Sequence, residues 1–313
     1  MTPASGACAA AMAVLALTLG PATAAVPPAA VAATAGSGTA VPASAARLGY
    51  PDIPAALAAG TAAQAGGPHA TPLGAPATRN VGSAGSLNWS GYAVNRTRVT
   101  FRSVSATFFV PYLNCPKSPG RTMASVWAGL DGYVGDPDTV EQIGVAADCS
   151  SAGRPSYFAW LEMYPYAQSK LPIPIYAGDS VTAQVSYDEA DKDFRLTLLD
   201  NTRGEHITRL RRCPAVKVDG KALRCARNSA EVIVEAPASG SGQHLVIDHL
   251  SDYGAVSFAE ISIADSAGQR GGVVSGHWNA TKIVQLGSSA GPIVAEPTTV
   301  AMDMFDSYWL RED

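Results

Sequence analysis

The residues of this 313-residue chain that could do acid/base chemistry lie in four short segments with a strand-like pattern, residues 126–131, 140–145, 158–164 and 230–235. Side chains two apart in a strand point to the same face of a sheet. In each segment one alternating set is small or aliphatic, and the other contains acids, an amide or aromatic rings. The pattern predicts four strands that turn these polar and aromatic side chains away from the core.

The predicted polar-aromatic face contains no cation, whereas an ordinary exposed sheet face would mix in Lys, Thr and Ser. Its members are Trp127, Asp131, Gln142, Trp160, Glu162, Tyr164, Glu231 and Glu235. Glu141 instead alternates with the apolar set, unless it lies near the edge of its strand. This composition is typical of a concave, aromatic-walled cleft suited to acid/base catalysis or to stacking on sugars.

The elements that must position these residues are short strands. From about residue 86, runs rich in Val, Ile, Thr, Tyr and Phe alternate with Gly, Pro, Asn and Asp clusters, and no long amphipathic helix is evident. The runs cover residues 88–94, 99–110, 124–130, 140–146, 157–164, 180–187, 194–200, 230–235, 256–263 and 281–286. This pattern predicts an all-β fold, an antiparallel sandwich or barrel. The basic residues 209–213 are interpreted as a solvated loop, and the tail 303–309 as a candidate edge strand.

The chain divides into three parts by composition. Residues 9–19 are apolar and lead into Ala22-Thr23-Ala24-Ala25, which predicts a secretory signal peptide over residues 1–25. Residues 26–82 are rich in Ala, Pro, Gly and Ser and cannot bury much surface, so they are interpreted as a linker or a removable propeptide. Residues 83–313 are long enough for one large catalytic domain.

Charge and cysteine content favour an exported protein with no nucleic-acid or membrane partner. Residues 81–313 carry 20 Lys and Arg against 25 Asp and Glu, because residues 1–80 contain only two Arg and one Asp of the totals of 22 and 26. That net charge of −5 disfavours a polyanionic partner. After loss of Cys8 with the signal peptide, the four remaining cysteines allow three disulfide connectivities, of which the local pairing Cys115–Cys149 and Cys213–Cys225 is favoured. No spacing indicates a metal site.

Five short sequence motifs of the chain together resemble successive motifs of the glutamic peptidases, the eqolisins. The resemblance is to a secreted, bacterial-type member of that family. The motifs are NWSGY (88–92), VWAGLDG (126–132), VEQIGV (140–145), AWLEMYP (159–165) and AEVIVE (230–235), and the resemblance covers roughly residues 86–290. It implies a two-sheet antiparallel β-sandwich of the concanavalin A-like lectin or glucanase jelly-roll type, with the active site on its concave sheet.

The resemblance also implies which residues carry the chemistry. The catalytic pair of the family is a Gln and a Glu, which correspond to Gln142 and Glu235. Trp127, Asp131 and Glu162 match further positions in the cleft. It implies hydrolysis of protein or peptide substrates by an activated water, without a covalent intermediate, metal or cofactor, by a monomer secreted to the extracellular space.

The types of these residues suit that reaction in acid. A carboxylate can take a proton from water and return it to the leaving amine, and its ordinary pKa near 4.3 makes it usable where a His base would already be protonated. A Gln amide is neutral at every pH and can donate to an oxyanion while its carbonyl holds the water. The remaining members of the face are expected to support the site: Asp131 and Glu162 by fixing hydrogen bonds, Trp127, Trp160 and Tyr164 by walling the groove, and Glu231 as a structural neighbour whose charge tunes the site.

Two other functions remain open from the residues alone. A secreted β-sandwich glycosidase could use Glu162 and Glu235 as two carboxyl groups flanking a glycosidic bond. A carbohydrate-binding protein could use the Trp residues as stacking platforms. Neither alternative gives Gln142 a necessary role, so Gln142 discriminates between them and the peptidase.

Overall fold

All regular secondary structure in the described part of the chain is β-strand. The computed structural model describes residues 71–72, 81–115, 120–134, 139–218, 221–241 and 244–312. The strands are β1 (Thr71–Pro72), β2 (Val81–Ser86), β3 (Trp89–Asn95), β4 (Phe101–Phe109), β5 (Thr122–Leu130), β6 (Val140–Cys149), β7 (Pro155–Tyr164), β8 (Ser169–Lys170), β9 (Ser180–Asp188), β10 (Asp193–Asp200), β11 (Glu205–Arg211), β12 (Lys217–Val218), β13 (Lys221–Ala222), β14 (Ser229–Glu235), β15 (Ala238–Ser241), β16 (His244–Ile247), β17 (Ala255–Asp265), β18 (Arg270–Gly271), β19 (Asn279–Leu286), β20 (Ile293–Pro297) and β21 (Phe305–Trp309).

Apart from the separate two-stranded pairs β12–β13 and β15–β16, the strands form two layers. The first, here called the site sheet, has the order β1-β2-β19-β3-β14-β5-β6-β7-β8. The second, the back sheet, has the order β20-β21-β17-β4-β9-β10-β11, with β18 paired to the far end of β17. Apart from the parallel pair β2–β19, all these pairings are antiparallel, and β19 joins the two sheets by also pairing with β20. The predicted all-β, two-sheet sandwich is confirmed.

The main core lies between the two sheets. Val126 and Ile143 of the site sheet and Phe108, Val185 and Leu198 of the back sheet belong to one continuous buried cluster. Burying side chains of this size stabilises a fold by about 1.5–3 kcal/mol each. The residues predicted to point inward from 126–131 and 140–145 therefore do so, and the opposite face of the site sheet is left for the polar and aromatic set.

Much of that opposite face is buried, while Glu162, Tyr164 and Glu235 are partly exposed. Trp127 is 0% exposed and Gln142 only 5%. The large rings cover one another: Trp89 packs edge-on against Trp127 with 5.1 Å between ring centroids, and Trp160 belongs to the same second cluster. Gly144 makes room for this packing, since a Cβ there would lie 2.6 Å from the Cβ of Trp127. Alternation identified the face correctly but could not indicate that neighbouring rings bury it.

Each of the ten predicted strand segments falls on an observed strand, but three features at the periphery differ from expectation. Residues 209–211 lie in β11 and pair with β10, so this basic stretch is not simply a loop. The tail forms β21, which pairs with both β17 and β20 and is therefore an interior strand. β1 and β2 both begin within the segment 26–82 that was interpreted as linker or propeptide, whereas the predicted signal peptide lies outside the described residues.

Two disulfides cross-link the described chain, Cys115–Cys149 and Cys213–Cys225, which is the local pairing favoured from sequence. The second disulfide lies just before Arg227 and Asn228, whose backbone N–H groups donate hydrogen bonds to Asp131. Within the described residues, no helix has the length and apolarity needed to cross a membrane.

Candidate active site

Glu235 is the last residue of β14, where it lies opposite Trp89 of β3 and Ser125 of β5. Each of its carboxylate oxygens accepts a hydrogen bond from a different side chain. Trp127 Nε1 donates to Oε2 at 2.8 Å, and Asn88 Nδ2 donates to Oε1 at 3.0 Å. Two donors on two oxygens fix the plane of the carboxylate, which a single hydrogen bond would leave free to rotate.

The surroundings of Glu235 pull its pKa in two directions. Burial, followed by the charge of Glu162, raises the pKa of Glu235 to about 8. The indoles of Trp127 and Trp89 and the amide of Asn88 oppose this rise by favouring the carboxylate. Trp89 Nε1 does so from outside strict hydrogen-bond geometry. Glu235 as a whole residue is partly exposed to solvent.

Gln142 lies on the neighbouring part of the same face, on β6, opposite Glu162 of β7 and Gly129 of β5. Its Nε2 donates to Glu162 Oε2 at 2.7 Å. Its Oε1 has no hydrogen-bond partner among the described residues. An amide nitrogen carries two hydrogens, so one N–H of Gln142 is not used by Glu162, and its buried carbonyl oxygen has no partner among the described residues.

Gln142 and Glu235 flank Trp127 from opposite sides. Glu235 aligns with Ser125, Gln142 aligns with Gly129, and Trp127 lies midway between those two positions on β5. Strands β14 and β6 are two apart, so their axes are about 10 Å from each other. Glu162 connects the two sides, since it accepts from Gln142 and its charge raises the pKa of Glu235. The arrangement thus offers a base with fixed oxygens on one side and a neutral donor and acceptor on the other.

Glu162 itself is an unusual carboxyl group. Burial raises its pKa to about 7, against the opposing effect of the hydrogen bond from Gln142. The two aromatic residues next to it on β7 line the same face: Trp160 lies opposite Gly144 and is buried, and Tyr164 lies opposite Val140 and is half-buried. Burial and then the Glu162 charge raise the pKa of Tyr164, so both side chains share one poorly hydrated environment.

A second acidic group lies at the far ends of the same strands and consists of Asp131, Glu141 and Glu231, here called the buried acid cluster. Asp131 follows β5 with a φ of 66°, which turns it toward the backbone N–H groups of Arg227 and Asn228, 2.7 and 2.8 Å from its two oxygens. Glu141 lies near it: after burial, the charge of Asp131 is the second largest cause of the raised pKa of Glu141, whose two oxygens have no hydrogen-bond partner among the described residues.

The buried acid cluster has little compensating positive charge. Burial raises the pKa of Asp131 to about 6 and those of Glu141 and Glu231 well above the ordinary value. Arg227 lowers the pKa of Asp131 slightly by its charge, but its Nη1 forms an ion pair with Glu189 at 2.7 Å. These three groups therefore hold protons at pH values where free carboxyl groups are ionised.

The predicted site residues thus fall into two groups. Gln142, Glu235, Glu162 and Trp127 are joined by hydrogen bonds or charge, with Trp160 and Tyr164 beside them; Asp131 and Glu231 instead join Glu141. Sequence reasoning missed two residues that hold Glu235 in place, Asn88 and, behind it, Ser86. The Ser-x-Asn-Trp spacing directly before a strand was the available signal.

No group of three or more His, Cys, Asp or Glu side chains in the described residues is arranged to hold a metal ion. The chemistry that these residues can carry out by themselves is proton transfer and hydrogen bonding to a polarised carbonyl.

The model of the peptidase A4 family matches residues 87–300. Two solved structures of scytalido-glutamic peptidase, one with a transition state analog inhibitor and one with a peptide based transition state analog, are similar in fold. They are 23% and 22% identical to this chain, with TM-scores of 0.57 and 0.56, and each comparison covers 71% of this chain and 98% of the other. The structure of aspergilloglutamic peptidase from Aspergillus niger is 28% identical over 60% of this chain and 99% of its own, with a TM-score of 0.45. No curated protein sequence matches the chain.

Proposed function

Because this chain belongs to the peptidase A4 family and is a peptidase, we propose that it is a secreted, acid-active endopeptidase in which Glu235 and Gln142 activate a water. The observation that carries the proposal is the pairing of a carboxylate held at both oxygens with a buried, neutral amide on the same face of one sheet. Its substrates are proteins or peptides.

In the proposed reaction, Glu235 as carboxylate takes a proton from water while the water oxygen bonds to the peptide carbonyl carbon. The carbonyl π electrons move onto its oxygen, and the free N–H of Gln142 donates to that oxyanion. Glu235 then returns the proton to the amide nitrogen, the C–N bond breaks, and the products are a carboxylic acid and an amine. No covalent bond to the protein forms at any step.

The working pH follows from the pair Glu235 and Glu162. The charge of Glu162 is the second largest cause of the raised pKa of Glu235. Once Glu162 takes up a proton, below its own pKa of about 7, that repulsion is lost and Glu235 ionises more readily. The proposed reactive state carries one negative charge on the pair, on Glu235. This is the less populated of the two one-charge forms, because the pKa of Glu235, about 8, lies above that of Glu162, about 7. Activity is then expected to fall toward lower pH as the pair becomes fully protonated and toward higher pH as both carboxyl groups ionise.

The two disulfides and the N-terminal sequence support the proposal that the protein is exported. The two disulfides are of the kind that persists in an oxidising compartment, and residues 1–25 have the sequence features of a signal peptide. We propose that residues 26–80 are removed or left as a leader, and that the catalytic body extends from β2 to the C-terminal strand. The body acts as a monomer, without a cofactor, nucleic acid or membrane as partner.

The test of this function is a digest by the exported protein recovered from culture medium. Internally quenched peptides of mixed sequence and a β-glucan are offered at pH values from 3 to 7, with wild type, Glu235→Gln and, as a matched control, Glu205→Gln on an exposed strand of the back sheet. We expect peptide cleavage by wild type and by the control, and a loss of about 1,000-fold or more in Glu235→Gln. Release of reducing sugar without peptide cleavage would instead support a glycosidase.

A further inference from the structure

Asn88 is a buried polar residue directly before β3 that contacts the proposed catalytic base. Only 8% of its surface is exposed, and its Nδ2 donates to Glu235 Oε1 at 3.0 Å. Trp127 holds the other oxygen of the same carboxylate. Asn88 is therefore one of two hydrogen-bond donors that together set the plane of the Glu235 carboxylate.

Ser86 determines which end of the Asn88 amide faces Glu235. The Oγ of Ser86 accepts the backbone N–H of Asn88 at 3.3 Å and that of Trp89 at 3.1 Å. These two bonds use both acceptor positions of the hydroxyl, so its one proton must be donated. It is donated to Asn88 Oδ1 at 3.0 Å. With Oδ1 facing Ser86, Nδ2 must face Glu235.

We propose that Asn88 is a positioning residue of the peptidase reaction: Ser86 fixes the orientation of the Asn88 amide, and that amide holds the Glu235 carboxylate in the orientation that takes a proton from water. The inference rests on the proposed role of Glu235 as base. It assigns a function to the junction between β2 and β3, where Ser86 and Asn88 lie. In the chain this junction comes before β6 and β14, the strands that carry Gln142 and Glu235.

The physical need for such a residue follows from what faces Glu235. Four groups do so: the indoles of Trp127 and Trp89, the amide of Asn88 and the carboxyl group of Glu162. The terminal torsion of a Glu side chain is broad, so the carboxylate would rotate unless the hydrogen bonds from Trp127 and Asn88 held both oxygens. A displacement of about 1 Å at a reacting group can cost about 100-fold in rate. An amide performs this role without gaining or losing charge as the pH changes.

The experiment compares Asn88→Ala with wild type and with Asn114→Ala in the exported full-length protein. Asn114 is a matched control because its Nδ2 also donates to a carboxylate at 3.0 Å, that of Asp252, at an exposed position. For Asn88→Ala we expect kcat to fall by about 10–100-fold with KM changed less than twofold. Because the Asn88 hydrogen bond lowers the pKa of Glu235, the acid limb of the pH–rate profile should move to higher pH.

Asn88→Asp provides a second readout in a side chain of nearly the same shape. In acid, the protonated carboxyl group can donate its O–H to Glu235 and replace the amide. Once ionised, it places a negative charge at hydrogen-bond distance from the base and cannot donate. The activity of Asn88→Asp relative to wild type should therefore be highest at the lowest pH and fall steeply as pH rises, which a purely structural defect would not produce.

Ser86→Ala tests the orienting step. Since Ser86 acts through Asn88, the double variant Ser86→Ala/Asn88→Ala should have the same kcat as Asn88→Ala alone, while Ser86→Ala alone loses less. Ser150→Ala is the matched control, because its Oγ likewise accepts a backbone N–H at an exposed turn. Circular dichroism and Tm confirm that each variant is folded at the assay pH.

The outcomes separate this inference from the proposed function. If Glu235→Gln is inactive but Asn88→Ala and Asn88→Asp both keep kcat within twofold of wild type at every pH, the positioning role is wrong and the base assignment stands. A change confined to KM, or losses in Ser86→Ala and Asn88→Ala that add in full, also overturns it. If Glu235→Gln keeps wild-type kcat, the proposed function is wrong and the inference fails with it.

Discussion

At the scale of single residues, the central feature is the carboxyl group of Glu235, because its neighbours act on its pKa in opposite directions. Burial and a neighbouring charge favour the protonated form of Glu235, while an indole and an amide favour the ionised form. A base needs both influences: a raised pKa gives it affinity for a proton, and the hydrogen bonds favour its ionised form and keep its oxygens in place. The same balance makes the site sensitive to the loss of one donor.

We therefore expect Trp127→Phe to shift the pH dependence of catalysis. The change removes the Nε1–H that donates to Glu235 Oε2 and keeps most of the ring packing. Without that donor the pKa of Glu235 rises further, so the acid limb of kcat/KM should move to higher pH and kcat at pH 4 should fall about 10-fold or more.

The control is Trp309→Phe, since Trp309 lies on the back sheet and its Nε1 has no hydrogen-bond partner among the described residues. It should keep the wild-type pH profile. An unchanged acid limb in Trp127→Phe, with normal folding, would show that the indole does not act on Glu235.

At the scale of elements, β5, β6 and β14 place acidic residues near both ends of these strands. Glu235 lies at one end, and the buried acid cluster of Asp131, Glu141 and Glu231 lies at the other. In the cluster, each folded-state pKa is raised above that of the unfolded chain. The folded protein then binds more protons than the unfolded chain above about pH 4.5. The stability these groups contribute is fully present below that pH and is lost as pH rises toward their folded pKa values.

Glu141→Gln should consequently stabilise the protein at neutral pH. The substitution keeps the size of the side chain but removes a fully buried titratable group next to Asp131. At pH 7 we expect the variant to have a higher Tm than wild type, by about 3 °C for each 1 kcal/mol gained, and at pH 4 a difference smaller than about 2 °C.

Differential scanning calorimetry at the two pH values measures this, with Glu205→Gln as the exposed control that should change neither Tm. Equal Tm shifts at pH 4 and pH 7, or a lower Tm at pH 7, would contradict a protonated cluster.

Sequence alternation predicted these strands well because a period of two is a direct consequence of strand geometry. It placed Val126 and Ile143 in the core and Trp127 and Gln142 on the other face. It could not predict which members of that face would touch, because contact depends on register between strands far apart in sequence. Asp131 and Glu231 were grouped with Gln142, and register does place Glu231 and Gln142 on the two sides of Gly129. The positive φ of Asp131 turns its carboxyl group to the backbone of Arg227 and Asn228, and the charges of Asp131 and Glu231 both raise the pKa of Glu141.

At the scale of the whole molecule, β2 crosses the boundary that composition placed at residue 83, with two of its six residues on the leader side. β2 pairs in parallel with β19 along Val81–Ser86, and its last residue orients Asn88. The Ala- and Gly-rich sequence VGSAGS gives little indication of a strand, since it lacks the large β-branched and aromatic side chains that usually mark one. Composition places the domain boundary two residues after the start of β2, and the exact start of the active protein stays a prediction.

The N-terminus of the active protein is accordingly expected between residues 26 and 81. N-terminal sequencing of the protein purified from culture medium measures it directly. A chain started at Leu87 should lose β2 and Ser86, and we expect it to have a lower Tm and lower kcat than one started at Val81. An active, equally stable protein beginning after Ser86 would show that β2 is dispensable.

The most direct test of the whole account is the kcat/KM of Gln142→Ala for peptide cleavage at pH 4. Gln142 is the residue for which the glycosidase and carbohydrate-binding alternatives have no use, and Gln184→Ala on the exposed face of the back sheet is its control. The account predicts a loss of about 100-fold or more in kcat/KM for Gln142→Ala and none for the control. A folded Gln142→Ala variant that cleaves peptides at close to the wild-type rate would contradict it.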